Sequence, residues 1–236
     1  MGIYEIIPCP KDHKVVGSKW VFRIKQGPDG SIQKYKVCVI MQGFSQVEGL
    51  DYDQTFAPVM KFASFHAALA IAAKCDWEVH QMDVKAAYLN GRLEEEIFMK
   101  SPPGFNISEG MVLKLIKAVY SMKQGGQVWY EDIRQMLREM GYEHIEADHT
   151  VFVCNLNSIL SIIILYVDDI TMAGNDLDVI LQDKKALQQC YQMTDLGEIS
   201  WILGIHITQD RKAGWISLSQ QQYIEEVLEC FGKLNI

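Results

Sequence analysis

Two adjacent carboxylates, Asp168 and Asp169, stand inside Ser161–Thr171 (SIIILYVDDIT), an apolar, β-branched stretch with the length of a buried strand. Two carboxylates at one turn repel each other and lose hydration, so a partly buried pair needs a compensating charge. A divalent cation supplies it most simply, and oxygen donors suit Mg²⁺. Taken alone, an Asp-Asp pair is more simply a turn, because Asp favours turns. Strand-forming residues from Ile162 to Val167 lead in, and Ile170 to Ala173 lead out to Gly174 and Asn175. That pattern predicts a tight hairpin with Asp168 and Asp169 at its tip. A third carboxylate, Asp83, lies near the C-terminal end of a strand expected over Trp77–Val84 (WEVHQMDV). By itself it reads equally as a cap or turn residue.

The elements around these residues follow from periodicity. Lys19–Lys25 and Gln33–Met41 alternate polar and apolar residues on either side of Gln26–Ser31, which holds a Gly-Pro-Asp-Gly turn, and so form a hairpin. Its cations, Arg23 and Lys25 opposite Lys34 and Lys36, form a solvated face or a phosphate-facing one, and alternation leaves both open. Val59–Ala73 carries its large apolar residues at helical spacing and predicts a helix buried on most sides. After the strand ending near Asp83 come a short helical segment (Lys85–Leu89), a break at Gly91 and the acidic run Glu94–Glu96, read as a solvated face. A short strand over Ile97–Lys100, an extended Pro102-Pro103-Gly104 loop and a strand and turn over Val112–Tyr120 follow.

Gln127–Met140 is the clearest helix, closed by Gly141. Thr150–Asn155 predicts a strand, Leu177–Gln192 a helix carrying Lys184 and Lys185, and Trp201–Thr208 with Trp215–Leu218 a second hairpin across Asp210–Gly214. Ser219 is expected to cap a final helix, Gln221–Phe231. In a split β-α-β sheet with helices on one face, the strand ending in Asp83 lies beside the central hairpin and brings three carboxylates together. Such a cluster suits two Mg²⁺ ions, one for the attacking oxygen and one for the leaving phosphate. Nucleotidyl transfer needs this arrangement, but nucleases and cyclic-dinucleotide synthases on similar sheets use like carboxylates, and spacing alone does not choose between them.

Composition bounds the class. The 236 residues are 49% hydrophobic and 22% charged, an ordinary globular balance for one extended domain or two small lobes. A formal charge of −8 excludes a protein that grips phosphate backbones over its whole surface, while leaving room for a local basic cleft. Cys9, Cys38, Cys75, Cys154, Cys190 and Cys230 form no CxxC pair, so neither a zinc site nor a disulfide framework is indicated, and reduced thiols in an intracellular compartment are expected. There is no signal peptide, and the longest apolar run, Ile159–Val167, is too short to span a bilayer; a soluble chain without a membrane partner is expected.

Ordered short motifs run through the chain: Lys19-Trp20-Val21-Phe22, Gly43-Phe44-Ser45-Gln46, Thr55-Phe56-Ala57-Pro58-Val59, Gln81-Met82-Asp83-Val84-Lys85-Ala86-Ala87-Tyr88-Leu89-Asn90-Gly91, and Pro102-Pro103-Gly104-Phe105. Met122-Lys123-Gln124, Trp129-Tyr130, Tyr166-Val167-Asp168-Asp169, Asp195-Leu196-Gly197, Leu203-Gly204-Ile205 and Leu218-Ser219-Gln220 continue the series. In these the sequence resembles the reverse transcriptase domain of Ty1/copia-type LTR retrotransposon Pol polyproteins, over nearly its whole length.

The resemblance implies an α+β right-hand polymerase reduced to fingers (approximately 1–75 and 94–127) and palm (approximately 76–93 and 128–236), with an antiparallel palm sheet, helices packed on one face, and no thumb or RNase H region. It implies an RNA-directed DNA polymerase, a nucleotidyltransferase using dNTPs, an RNA or DNA template with its primer, and two Mg²⁺ ions (or Mn²⁺) on Asp83, Asp168 and Asp169. Lys36, Tyr88 and Gln124 are the implied nucleotide contacts: Lys36 at the triphosphate, Tyr88 under the sugar, where it rejects a 2′-hydroxyl, and Gln124 at the incoming nucleotide. Tyr166 and Val167 are implied at the primer terminus. Implied surroundings are the rest of Pol, including integrase and RNase H, in a cytoplasmic virus-like particle and in the nucleus.

The chain departs from the family pattern at cations. Where that pattern runs Lys-Ala-Arg-Leu-Val-Ala-Lys-Gly, this chain has Lys36-Val37-Cys38-Val39-Ile40-Met41-Gln42-Gly43, and after Lys123-Gln124 it has Gly125-Gly126-Gln127 in place of Ala-Pro-Arg. A common arginine in the helix after Pro58 is His66. Arg to Cys, Gln and His are each single transitions from a CG-starting codon, the trace of cytosine deamination in a silenced repeat. The alternative expectation is therefore a decayed or co-opted copy that keeps the fold and works weakly, binding only nucleic acid or protein.

Overall fold

The computed structural model describes residues 2–26, 31–156 and 158–232, so the expected Gly27-Pro28-Asp29-Gly30 turn lies outside the described residues. In chain order the elements are β1 (Tyr4–Pro8), β2 (Val15–Val16), β3 (Ser18–Gln26), β4 (Ile32–Met41), α1 (Phe62–Cys75), β5 (Glu78–Val84), β6 (Arg92–Met99), β7 (Met111–Lys117) and α2 (Gly125–Glu139). There follow β8 (Glu143–Ile145), β9 (Asp148–Leu156), β10 (Ile159–Tyr166), β11 (Asp169–Gly174), α3 (Leu177–Cys190), β12 (Met193–Glu198), β13 (Trp201–Ile202), β14 (Ile205–Asp210), β15 (Trp215–Ser219) and α4 (Gln221–Cys230). The chain divides into two compact units, Met1–Ala57 with Ala86–Met136, and Pro58–Lys85 with Leu137–Ile236. These bounds differ from the expected ones most plainly at α1, which belongs with the second unit because its apolar side packs on that unit's sheet.

The first unit holds a four-stranded sheet in the order β1-β7-β6-β2 and the separate ribbon β3-β4. Its core gathers Val16, Met41, Leu93, Ile97, Met99, Leu113 and Leu115. β6 begins five residues earlier than expected and includes the acidic run, because Leu93 and Ile97 point inward while Glu94 and Glu96 stay exposed and Glu96 pairs with Lys114. The ribbon registers Arg23 opposite Lys36 and Phe22 opposite Val37, so alternation puts cations on one face and Phe22, Ile24, Tyr35 and Val37 on the other.

In the second unit an antiparallel six-stranded sheet runs β12-β5-β11-β10-β9-β8, beside a three-stranded sheet β13-β14-β15. Ser161 to Leu165 of β10 are all buried, the signature of a strand covered on both faces. One face carries Val79, Ile162, Ile164 and Ala173, packed with Phe65, Ala68, Leu69 and Ala72 of α1 and with Ile202, Ile205 and Ile207 of the small sheet. Filling each such large side chain into the core contributes about 1.5–3 kcal/mol. The other face carries His80 and Ser161, and α3 meets it through Lys184 and Asp183.

Helices therefore lie on both faces, not on one, since a central strand buried at five successive positions has two faces to cover. α1 is also covered on one side only: Val59, before it, and Phe62 and Ile71 within it are exposed, and its buried residues follow i, i+3, i+4, i+7 spacing. Asp176, which received no role from the sequence, caps α3 by accepting from the N–H groups of Asp178 and Val179. At α4 the cap position is Gln220 rather than Ser219, although Ser219 Oγ still accepts from Gln221 N at 3.3 Å.

Candidate active site

β10 and β11 pair from Ser161–Gly174 to Tyr166–Asp169, so the turn itself is Val167-Asp168 and Asp169 opens β11. Val167 has φ +55, a left-handed conformation that a β-branched residue adopts at a cost of about 1–3 kcal/mol, and its side chain is exposed. The next pairing decides the site. β11 registers against β5 with Asp169 opposite Asp83, Thr171 opposite Gln81 and Ala173 opposite Val79. Period-two alternation then sets Asp83, Asp169, Gln81 and Thr171 on one face of the sheet. Val84 N donates to Asp168 O at 2.8 Å and ties the turn to the end of β5.

All three aspartates are half-buried, and Gln81 Nε2 donates to Asp169 Oδ1 at 3.1 Å. Among the described residues no group of three or more His, Cys, Asp or Glu is gathered as a cage for a metal ion. The expected three-carboxylate cluster is thus an opposed pair, Asp83 and Asp169, with Asp168 beside it in the turn. The donor chemistry nonetheless fits Mg²⁺, which takes one or two carboxylates together with water and substrate phosphates in place of an all-protein cage.

Behind the carboxylates, on the opposite face of β5, Lys184 is buried and contacts His80 Nδ1 at 2.8 Å and Asp195 Oδ1 at 2.7 Å. Burial, then the adjacent Lys184 ammonium, holds the His80 imidazole below its ordinary value. Asp195 is pushed up by burial, but the hydrogen bonds from Lys184 and from the Gly197 N–H outweigh it and leave that carboxyl below the usual range. The Asp195-Leu196-Gly197 motif is thereby explained as a clamp on the strand that carries Asp83.

The first unit contains the other expected contacts. Arg23, Lys36 and Cys38 line a pocket with Val21, Ile40, Tyr120 and Ser121. Lys36 Nζ sits 5.4 Å from the centroid of the Tyr120 ring, and Tyr88 meets the same ring edge-on, 5.1 Å between centroids and 82° between planes. Tyr120 received no role from the sequence; Arg23, expected across the hairpin from Lys36, is set directly opposite it by the register of β3 against β4.

Gln124 differs from expectation. It is 0% exposed, its Oε1 accepts from Gln46 Nε2 at 3.0 Å and its Nε2 donates to the Asp51 carbonyl at 2.9 Å, so both ends of its amide are committed inside the unit. Gln46 also accepts from Lys123 N, and a Cβ on Gly43 would stand 1.9 Å from the Ser121 carbonyl oxygen. Gly43-Phe44-Ser45-Gln46 is therefore a packing motif around Gln124.

The family model described as reverse transcriptase (RNA-dependent DNA polymerase) matches residues 1–235, and the chain belongs to that family. Within it the chain is a reverse transcriptase domain of the Ty1/copia Pol type. It is 38% identical over 237 residues to the Retrovirus-related Pol polyprotein from transposon TNT 1-94 of Nicotiana tabacum, and 34% identical over 228 residues to that from transposon RE1 of Arabidopsis thaliana. Those alignments take in 99% and 95% of this chain but 18% and 15% of the relatives, so the chain spans less than a fifth of either. Among solved structures, a foamy viral protease-reverse transcriptase in complex with ds DNA has a TM-score of 0.44 at 12% identity, covering 98% of this chain and 34% of that one, too distant for the fold assignment to rest on it.

Proposed function

We propose that this chain carries out RNA- and DNA-templated DNA synthesis from deoxynucleoside triphosphates as the fingers and palm of a right-hand polymerase, the first compact unit serving as fingers and the second as palm. The observation that carries this reading is the register of β5 against β11, which opposes Asp83 and Asp169 on one face of the sheet beside the Asp168 turn. These three carboxylates would hold the two Mg²⁺ ions, or Mn²⁺ in their place. Bound there, divalent metal supplies Lewis-acid stabilisation of phosphate charge in an in-line displacement.

The chain's own residues bind and orient. Lys36 holds triphosphate oxygens by charge-assisted hydrogen bonds, and Tyr88 stands against the sugar and excludes a 2′-hydroxyl by its bulk. Tyr120, in contact with both, fixes their approach. Gln124 acts from within the unit, through the segment it braces to Gln46 and Asp51. Tyr166 and Val167 flank the primer terminus. The partners in this reading are a primed RNA or DNA template and the rest of a Pol polyprotein, in a virus-like particle in the cytoplasm and in the nucleus.

Primer extension tests the reading: Asp168→Asn lowers turnover by roughly a hundredfold or more, since a charge acting at the reacting centre is removed, with the melting temperature unchanged. Extension that survives the change refutes the assignment.

One observation favours a second reading, in which the copy keeps the fold and works weakly. Cys38, where the family pattern has arginine, lines the same pocket as Arg23 and Lys36. A cation is missing where a triphosphate needs one.

A further inference from the structure

Gln81 stands in the middle of β5 in a setting where a polar side chain needs a reason. It is 4% exposed, and its strand neighbours Val79, His80 and Met82 are buried as well. Its Nε2 donates to Asp169 Oδ1 at 3.1 Å, and opposite it in the register is Thr171, 2% exposed, whose Oγ1 has no hydrogen-bond partner. On this face the polar patch is therefore continuous: Gln81 and Thr171 form a buried layer directly beside the Asp83–Asp169 pair.

The residue type is informative. A Lys or Arg at 81 would neutralise Asp169 and compete with a cation for it, and a Glu would set a third negative charge against the pair and offer no donor. A neutral amide orients a carboxylate through one N–H while leaving its charge and most of its lone-pair sites available. We infer that Gln81 is a positioning residue, which holds the Asp169 carboxylate in the orientation that receives a divalent cation. The inference rests on the polymerase reading above. It assigns Gln81 no contact with substrate.

Partners that orient a metal ligand are worth roughly 10–100-fold in metal affinity. The test uses the full chain, with Mn²⁺ as probe and free Mn²⁺ followed by electron paramagnetic resonance. Gln81→Met, matched in length and lacking the donor, is expected to weaken Mn²⁺ binding about tenfold and to raise by a similar factor the Mg²⁺ concentration that half-saturates nucleotide incorporation. At saturating metal the KM for the triphosphate is expected to stay at the value of the unaltered protein, a split that general loosening of the sheet would not give. The melting temperature in EDTA is expected to change little. If the Met variant fails to fold, Gln81→Asn, which keeps the amide but withdraws it by one methylene, is read the same way. Mn²⁺ binding lost in Asp169→Asn but unchanged in the folded Gln81 variant overturns this inference alone. No Mn²⁺ binding by the unaltered protein, or binding unchanged by Asp169→Asn, overturns the metal-site reading and this inference with it.

Discussion

The two compact units differ in how their proposed functional residues are held. In the second, each motif residue singled out for chemistry is present and braced: Asp83 and Asp169 are opposed in register, Gln81 holds Asp169, and Lys184 locks β5 to β12 through His80 and Asp195. In the first, the pocket proposed to receive a triphosphate has Arg23 and Lys36 beside a thiol at Cys38, and α2 opens with Gly125, Gly126 and Gln127, while the second unit carries His66 as the third departure from the family's cations. The contrast has a physical basis. The carboxylates sit in a sheet buried on both faces, where neighbours constrain each position, whereas Arg23 and Lys36 sit on a two-stranded ribbon whose one face lines a pocket with Tyr120 and Ser121 and whose other exposes Phe22, Ile24, Tyr35 and Val37. A charge on such a ribbon can be exchanged at little cost in stability.

That contrast makes separable predictions. After Asp168→Asn, the next largest effect is expected at the proposed sugar contact of the first unit: Tyr88→Ala should raise ribonucleotide incorporation relative to deoxyribonucleotide by roughly tenfold or more, as removing a steric wall does, with the melting temperature near that of the unaltered chain. Competition between the two sugars in single-nucleotide extension measures it, and unchanged discrimination would remove Tyr88 from the site.

The second unit's brace should answer in stability. Lys184→Met leaves Asp195 and His80 without their donor, and because Asp195 is 40% exposed the expected loss is about 2 kcal/mol rather than the 3–5 of a fully buried pair. Urea unfolding measures it. A loss below half that figure would show that the clamp does not hold β5.

The smallest effect is a pH dependence. His80 has its proton affinity lowered on folding, so the unfolded chain binds more protons between the folded value and the ordinary value near 6.5. Its contribution is complete above pH 6.5 and is lost as pH falls through the lower folded value. Melting temperature should thus decline on acidification below pH 6.5, and His80→Gln should flatten that decline. Asp195, with its carboxyl below the usual range, stabilises throughout this window and loses its contribution only at lower pH, as it gains its proton.

Much of this was readable in the residues. The ribbon, β10 and the spacing of α2 and α3 followed from period, and the Asp83 strand was found beside the Asp168–Asp169 hairpin as the motif order required. Three features were hidden for identifiable reasons. An alanine-rich helix such as α1 has no marked polar side, so its single buried face did not stand out. The glutamates of β6 masked the first half of a strand in which Leu93 is the one buried residue before Ile97. The partners of Gln124, Gln46 and Asp51, lie 78 and 73 residues away, and hydrogen bonds across such distances leave no local pattern. Gln81 was visible inside a motif, but a glutamine two positions before an aspartate has no chemistry of its own until the strand register brings Asp169 alongside.

Whether a depleted cation pocket limits a protein whose carboxylates are in place is read from single-turnover nucleotide incorporation with the unaltered protein and with Cys38→Arg plus Gln127→Arg, each across a triphosphate titration. A restored charge-assisted contact of about 1.5 kcal/mol is roughly tenfold in affinity. The predicted result is therefore a KM about tenfold lower in the restored protein, a steeper salt dependence where the arginines meet template phosphates, and the same maximal rate in both. Equal KM values, or a maximal rate that rises only with the arginines, would contradict it.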